Sequence, residues 1–232
     1  MKLIENNNRI RKIEDRLFSS LGNINGSSYD NKARMYEKLV SSKSYNKIIW
    51  GTLPKDYTDF AKKAILNSNG ISIDIGCGGL IQTATIYSKA KQNCILLDHS
   101  IEMLKIAKNR LNTLCHHVPE NIDLLQADAF QLPFEDNSFD NLVSFGMIHC
   151  FENKSQFIKE ALRVLKSNGT FHFTTMTSDR LISKYYMAIL RRQKEFGEPL
   201  GSKQILNLFE GNALKIEYYM KGSMIFISGT KY

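Results

Sequence analysis

From Ile71 onward, short apolar runs alternate with longer segments whose apolar residues recur every three or four positions. The longer segments have the spacing of amphipathic helices, and the short runs have the length of buried strands. This alternation predicts βαβ units, in which helices cover both faces of a mostly parallel sheet. The predicted strands are Ile71–Ile75, Cys94–Leu97, Ile122–Leu125, Leu142–Phe145 and Thr170–Thr174, and the predicted helices are Ile81–Lys91, Ile101–Leu111 and Ser155–Leu165.

The C-terminal segment has a different pattern. Leu214–Met220 and Met224–Ser228 are β-rich runs on either side of Lys221-Gly222-Ser223, which predicts a closing hairpin. The sequence therefore predicts an α/β fold with a Rossmann-like, doubly wound sheet of seven strands. The sheet would be mostly parallel with a C-terminal antiparallel hairpin, and its domain would cover residues 71–232.

The first 70 residues have helical spacing instead. Apolar residues recur every three or four positions within Arg9–Ser20. Asp30 and Asp56 can each cap a further helix, the second of which covers Tyr57–Leu66. We expect residues 1–70 to form an N-terminal helical cap on the sheet.

Composition excludes several classes of protein. With 43% hydrophobic and 23% charged residues among 232, the chain is neither collagen-like nor disordered. Cys77, Cys94, Cys115 and Cys150 are too scattered for a disulfide scaffold or a CxxC metal site. The sequence shows no membrane span and no signal-peptide core, so we expect a cytoplasmic protein.

The net charge of +8 is unevenly distributed along the chain. Residues 1–70 carry 13 basic and 7 acidic side chains, and residues 181–232 carry 8 and 4. Residues 71–180 carry 10 basic and 12 acidic side chains. The positive surplus therefore belongs to the two ends of the chain.

The turn after the first predicted strand is glycine-rich. It reads Asp74-Ile75-Gly76-Cys77-Gly78-Gly79-Leu80, and small residues let a backbone approach a ligand closely. A dinucleotide fingerprint would need a glycine where Ile81 stands, and no phosphate-binding lysine motif is present. Asp74 would repel a pyrophosphate and favour a cationic ligand.

Two further carboxylates follow the next two predicted strands. Asp98 comes 20 residues after Gly78, where a carboxylate can accept hydrogen bonds from both ribose hydroxyls. Asp128 is placed to accept a hydrogen bond from an adenine amino group. Three acidic strand ends predict an adenosine ligand that carries no phosphate and is partly cationic.

Several segments resemble those of a known family, and they occur in order over residues 71–175. They are Asp74-Ile75-Gly76-Cys77-Gly78, Asp98-His99-Ser100-Ile101-Glu102-Met103-Leu104, Ala127-Asp128-Ala129, Leu132-Pro133-Phe134, Asn137-Ser138-Phe139-Asp140, Phe145-Gly146-Met147-Ile148-His149, Glu160-Ala161-Leu162-Arg163-Val164-Leu165-Lys166 and Asn168-Gly169. This succession resembles the class I S-adenosylmethionine-dependent methyltransferases, in their small-molecule, type 11-like branch. The sequence departs from the family pattern at Leu80, where a third glycine is usual.

The resemblance implies S-adenosyl-L-methionine as cofactor, S-adenosyl-L-homocysteine as product, and no metal. It also implies contacts to the cofactor from three groups of residues. Those implied to surround the methionine moiety are Asp74, Gly76, Cys77, Gly78 and the main chain near Phe145, whereas Asp98 would hold the ribose and His99, Met103, Asp128 and Ala129 the adenine.

Further candidates come from reactive or aromatic residue types. His149, just beyond the fourth predicted strand, is the titratable residue best placed to act as a general base. Tyr29 and Tyr36 belong to an aromatic stretch that also contains Tyr45 and Trp50, and we expect them near the sulfonium, since aromatic faces attract cations. Residues 176–200 form a predicted insert on the substrate side.

The sequence thus predicts a methyltransferase that acts on O, N or C of a small-molecule acceptor by in-line attack. Because both basic ends are expected to frame the acceptor cavity, an anionic or carboxylate-bearing acceptor is expected. An RNA methyltransferase is the alternative, although no Asn-Pro-Pro-Tyr-type element or Pro-Cys pair is present. A cofactor-binding protein without catalysis is a third interpretation. No membrane partner is expected.

Overall fold

A single sheet contains every strand in the part of the chain that the structure describes. The structure is a computed structural model, and it describes residues 2–5, 7–22 and 42–232. The strands in these ranges are β1 (Arg11–Glu14), β2 (Leu17–Ser19), β3 (Ile71–Ile75), β4 (Asn93–Asp98), β5 (Ile122–Gln126), β6 (Phe139–Phe145), β7 (Leu165–Met176), β8 (Leu214–Lys221) and β9 (Met224–Lys231). Their order in the sheet is β1-β2-β5-β4-β3-β6-β7-β9-β8.

Helices cover both faces of this sheet. They are α1 (Lys2–Glu5), α2 (Lys43–Tyr45), α3 (Pro54–Leu66), α4 (Ala84–Tyr87), α5 (Ile101–Cys115), α6 (Lys154–Val164), α7 (Leu181–Arg192) and α8 (Ser202–Asn207). A π-helix, Asn46–Trp50, continues α2, and Ile148–Cys150 form a 3₁₀ turn. Apolar residues of α6 and α8 pack on one face, whereas those of α3, α4 and α5 pack on the other.

The predicted fold class is confirmed. Strands β2, β5, β4, β3, β6 and β7 are parallel neighbours, and β9 runs antiparallel to both β7 and β8. Alternate residues of β4 enter opposite cores, with Ile95 and Leu97 on one side and Cys94 and Leu96 on the other. This two-sided burial explains why the strands appear in the sequence as short apolar runs.

The prediction of a helix within Arg9–Ser20 is wrong, and the described residues contribute nine strands to the sheet where seven were predicted. This segment forms β1 and β2, and Leu17–Ser19 pairs in parallel with Leu124–Gln126 of β5. The Ser19 hydroxyl also donates to Gln126 Oε1 at 2.9 Å. Because the unpaired backbone groups along the edge of β5 need partners, strand pairing overrides the helical spacing.

Helix boundaries also differ from the prediction. The expected helix Ile81–Lys91 is reduced to α4, Ala84–Tyr87, after a series of turns. Helix α3 begins at Pro54, and Asp56 is its third residue, whose carboxylate accepts the Leu53 N–H at 2.9 Å. The helix expected to follow Asp30 lies outside the described residues.

The carboxyl ends of the parallel strands meet along one edge of the sheet. Asp74 of β3 is in register with Leu96 of β4, and Asp98 of β4 is in register with Gln126 of β5. This edge is where ligands bind in open α/β sheets. Within the described ranges, no helix combines the length and hydropathy that crossing a membrane requires.

Candidate functional site

The turn after β3 has the tight backbone that its glycines predict. Gly76 and Gly78 adopt left-handed φ angles of 81° and 55°, which favour glycine. The N–H groups of Gly76 and Cys77 both donate to the Leu97 carbonyl, at 2.7 and 2.9 Å. The turn is therefore fixed to the end of β4.

Asp98 connects this turn to the next helix. Its Oδ2 accepts the Gly78 N–H at 2.8 Å, and its Oδ1 accepts the Ser100 N–H at 2.9 Å. Burial raises the pKa of Asp98, while these two N–H groups lower it. A Cβ atom built on Gly78 meets no atom within 4 Å, so the space beside the turn is open.

Leu80, where the family pattern has a glycine, adopts a left-handed backbone conformation. Its φ is 58°, in the left-handed region, and its side chain is 1% exposed. The left-handed conformation costs roughly 1–2 kcal/mol for a residue with a Cβ, whereas burial of a leucine side chain contributes about 1.5–3 kcal/mol. Burial of this side chain therefore offsets the backbone strain, and the turn keeps its shape without the third glycine.

Replacing Leu80 with glycine tests this balance. We expect the variant to be destabilised by about 1 kcal/mol, because the lost burial outweighs the relieved strain. Affinity for a ligand of the turn should stay within about threefold, since the backbone shape is retained. Urea unfolding and a ligand titration measure the two effects, and a stabilised variant would contradict the account.

Asp74 is a buried carboxylate behind the turn. The Tyr87 hydroxyl donates to its Oδ2 at 2.7 Å, and Oδ1 has no hydrogen-bond partner among the described residues. Burial raises the pKa of Asp74 from 3.8 to about 7, partly countered by the Tyr87 hydroxyl and reinforced by Asp98. A cation or an N–H donor placed nearby would favour the ionised form.

The remaining predicted residues of this edge lie farther along it. Asp128 Oδ1 accepts the Phe130 N–H at 2.8 Å, so the carboxylate shapes its own turn. Ala129 is 9% exposed and belongs to the core, whereas the His99 side chain is exposed. These three residues follow β4 and β5 but do not line the cavity described next.

A cavity, here called the strand-end cavity, lies beside the glycine turn. Of the predicted site residues, it brings together Gly76, Cys77, Gly78, Met103, Phe145 and His149. Residues that were not predicted as site residues complete its wall. The aromatic ones among them are Tyr45, Tyr57, Tyr186 and Phe196.

Trp50 supports the aromatic wall from behind. It is fully buried, and its ring centroid lies 5.7 Å from that of Tyr186 and 6.3 Å from that of Phe196. The hydroxyls of Tyr45 and Tyr186 are 3.1 Å apart and share a hydrogen bond. The π-helix and α7 thus form one aromatic unit. Tyr29 and Tyr36, predicted near the sulfonium, lie outside the described residues.

His149 is buried in the cavity wall as a neutral imidazole. Its Nδ1 accepts the Met176 N–H at 3.3 Å and lies 3.0 Å from the Thr175 hydroxyl, so the ring proton belongs on Nε2. Nε2 is buried without a hydrogen-bond partner among the described residues. Burial, reinforced by Lys154, lowers the pKa of His149 from 6.5 to about 3.

The insert between β7 and α8 is held against the turn that carries His149. The Gly197 N–H donates to the His149 carbonyl at 3.0 Å, and Glu152 accepts from the Glu198 N–H and from Arg191, both at 3.1 Å. A side chain at Gly197 would collide with the Phe151 backbone. These contacts hold Phe196 over the cavity.

Sequence reasoning missed the part of the wall that comes from distant segments. Tyr186 and Leu190 lie four residues apart on α7, which is a helical spacing visible in the sequence. Their direction toward the cavity depends on the packing of α7 against the π-helix, which no local pattern encodes. Within residues 2–5, 7–22 and 42–232, no cluster of His, Cys, Asp or Glu could hold a metal ion.

Comparison with known proteins shows what the core of the chain is similar to. Residues 73–173 match the protein family described as "Methyltransferase domain". The chain is 35% identical over 148 residues to the uncharacterized protein MJ1252 of Methanocaldococcus jannaschii, which covers 63% of this chain and 49% of that protein. It is 38% identical over 97 residues to the ubiquinone/menaquinone biosynthesis C-methyltransferase UbiE of Pseudomonas putida, covering 40% of this chain and 37% of that protein. The chain thus spans half or less of the length of these relatives.

Solved structures share the fold at low sequence identity. The geranyl diphosphate C-methyltransferase of Streptomyces coelicolor, solved with Mg²⁺, geranyl diphosphate and S-adenosyl-L-homocysteine, superposes with a TM-score of 0.65. The match covers 91% of this chain and 86% of that chain at 12% identity. This similarity supports the arrangement of the sheet and helices.

Proposed function

We propose that the chain is a class I S-adenosylmethionine-dependent methyltransferase that transfers a methyl group to a small-molecule acceptor, and the match of residues 73–173 to a methyltransferase domain supports this proposal. The glycine turn held by Asp98, beside an aromatic cavity, is the observation that carries the proposal. These residues do not determine which atom receives the methyl group, so the proposal includes transfer to O, N or C.

The turn and Asp98 fit the cofactor chemically. The open space at Gly78 leaves room for a ligand against the backbone, and each Asp98 oxygen keeps a lone pair for a ribose hydroxyl. The free Oδ1 of buried Asp74 suits an amino group on the methionine moiety, directly or through water. These residues support S-adenosyl-L-methionine as the cofactor.

Five other residues would complete the cofactor site in this proposal. Met103 and the Phe145 main chain border the strand-end cavity, and they would contact the adenine side and the methionine side respectively. Asp128 and Ala129 would present a carboxylate and a backbone N–H to the adenine edge. His99, which is exposed, would cover the adenine face from solvent.

The chemistry requires positioning more than proton transfer. When bound, the cofactor supplies a methyl group on a positively charged sulfur, and that charge disperses as the methyl group leaves. The residues of the cavity wall would hold the acceptor in line with the methyl group and exclude water. Such alignment supplies about 7–11 kcal/mol of barrier reduction in favourable cases.

The geometry of His149 argues against the general-base role that the sequence suggested. A base must offer a free lone pair, but Nδ1 already accepts the Met176 N–H and Nε2 carries the proton. With a pKa lowered to about 3, the ring stays neutral above about pH 4 and does not titrate near neutrality. We propose that His149 serves as a hydrogen-bond donor.

A pH profile of the His149→Gln variant tests this role. We expect the wild type and the variant to give parallel profiles of kcat between pH 5 and 8, because the imidazole does not titrate in that range. The variant can be slower at every pH, since glutamine places its N–H differently. An inflection between pH 5 and 8 in the wild type that the variant lacks would restore the general-base role.

A transfer assay with labelled methyl donor tests the proposed function. The purified chain is incubated with S-adenosyl-L-methionine labelled in its methyl group and with cell extract. The products are then separated into small-molecule, RNA and protein fractions. We expect label in a small-molecule product other than the donor, above the level that the same extract gives without the chain. Label confined to RNA would favour the RNA methyltransferase, and cofactor binding without transfer would favour the protein that lacks catalysis.

A further inference from the structure

We infer that the acceptor is an uncharged, flat aromatic molecule with an oxygen atom that accepts a hydrogen bond from His149. This inference rests on the proposed function, because the strand-end cavity is taken as the place where acceptor and methyl donor meet. It replaces the anionic acceptor expected from net charge. The inference rests on the charges of the cavity wall, on its aromatic rings and on the buried Nε2–H of His149.

The charges of the wall do not suit an anion. Among the described residues that line the strand-end cavity, Glu195 is the one that bears a formal charge, and no lysine or arginine is present. A carboxylate or phosphate moved into this wall would lose its water without gaining a cation from the described residues. The positive surplus of the insert belongs instead to exposed side chains such as Lys184, Arg192 and Lys194.

The rings of the wall suit a flat ligand. Tyr57 meets Phe145 edge to face, with ring centroids 5.4 Å apart, and Tyr186 and Phe196 belong to the aromatic unit around Trp50. Aromatic groups prefer offset-stacked or edge-to-face contacts with one another, so such walls select planar ligands. Between these rings, an aromatic acceptor would replace water with ring contacts.

His149 supplies a polar contact of defined direction. Its Nδ1 edge is fixed to β7 by Thr175 and the Met176 N–H, which directs the donor edge away from that strand. The buried Nε2–H has no acceptor among the described residues, and the ring of Phe196 lies 4.4 Å away between centroids. The backbone on either side of Phe196 is held in place, so rotation of its side chain alone would let a ligand oxygen accept a hydrogen bond from Nε2.

A matched pair of ligands separates the neutral acceptor from the anionic one. We would titrate 4-hydroxyacetophenone and 4-hydroxybenzoate into the chain by calorimetry at pH 6.5, with S-adenosyl-L-homocysteine present. Both share a phenol ring, but only the second carries a carboxylate. Trp50, the one tryptophan of the chain, packs on Tyr186 and Phe196, so its fluorescence reports binding at the wall.

We expect the ketone to bind at least about tenfold more tightly than the carboxylate and to change the Trp50 emission, because only the carboxylate would have to bury a charge without a cation. His149→Gln keeps an N–H donor, whereas His149→Leu removes it at similar volume. We therefore expect His149→Leu to bind 4-hydroxyacetophenone at least about fivefold more weakly than the wild type does. We expect the affinity of His149→Gln to lie close to that of the wild type. His117→Leu, on an exposed histidine, controls for the substitution itself.

Three results would overturn the inference: equal or tighter binding of the carboxylate, equal effects of both His149 variants, or no binding of either ligand. The proposed function fails separately, through absent binding of S-adenosyl-L-homocysteine or absent transfer in the labelled assay. Label transferred to small molecules together with tight binding of 4-hydroxybenzoate would keep the function and reject the aromatic, uncharged acceptor.

Discussion

Replacing Gly78 with alanine is expected to weaken the binding of S-adenosyl-L-homocysteine by at least about 100-fold while the protein stays folded. The added Cβ meets no protein atom within 4 Å, so it would enter the space beside the turn that the cofactor is proposed to use. The left-handed φ of 55° would cost roughly 1–2 kcal/mol of stability. Calorimetry and urea unfolding measure these two effects.

Gly211→Ala is the matched control for this variant. Gly211 also has a left-handed φ, of 79°, and a Cβ there also meets no atom within 4 Å. It lies between α8 and β8, away from the glycine turn, so the same backbone cost should appear without any change in affinity. If both alanine variants bind like the wild type, the cofactor does not lie against Gly78.

Replacing Asp98 with asparagine is expected to weaken the binding of S-adenosyl-L-homocysteine by a similar factor. The carboxylate accepts the N–H groups of Gly78 and Ser100, and it is proposed to accept the ribose hydroxyls as well. An amide must turn an NH₂ group toward one of these donors, which removes an acceptor and disturbs the turn. We expect affinity for S-adenosyl-L-homocysteine to fall about 100-fold or more, as measured by calorimetry.

Asp140→Asn separates this effect from general destabilisation. Asp140 also accepts a backbone N–H, from Ile71 at 2.8 Å, and pairs with Lys166 at 2.8 Å. It belongs to β6 and lies beside the amino-terminal end of β3, at the edge of the sheet opposite the glycine turn. We expect Asp140→Asn to lower the stability of the protein without lowering its affinity for S-adenosyl-L-homocysteine. Equal losses of affinity in both variants would show that Asp98 has only a structural role.

The central sheet could be predicted because its strands are buried on both faces. Ile71–Ile75 begins and ends where the pattern places it, and the other predicted parallel strands extend by one to seven residues. The segment Arg9–Ser20 could not be predicted in this way. Its apolar spacing fits a helix, but its partner is the edge of β5, more than 100 residues away in the sequence.

The glycine turn was more predictable than the aromatic wall of the strand-end cavity. Glycines and carboxylates at strand ends are local signals, and the structure places Gly78 and Asp98 in direct contact. The aromatic wall depends on how α7 packs on the π-helix, which brings Tyr186 beside Trp50. Net charge alone does not identify the acceptor, because a total for the chain does not say which side chains face a cavity.

The most direct test of the central claim is the binding of S-adenosyl-L-homocysteine to the wild-type chain, measured by isothermal titration calorimetry. A site built from the glycine turn and Asp98 predicts one ligand per chain, and predicts no binding of NADH, whose pyrophosphate would meet the acidic strand ends. Tight NADH binding, or the absence of any heat with S-adenosyl-L-homocysteine, would contradict the proposed site.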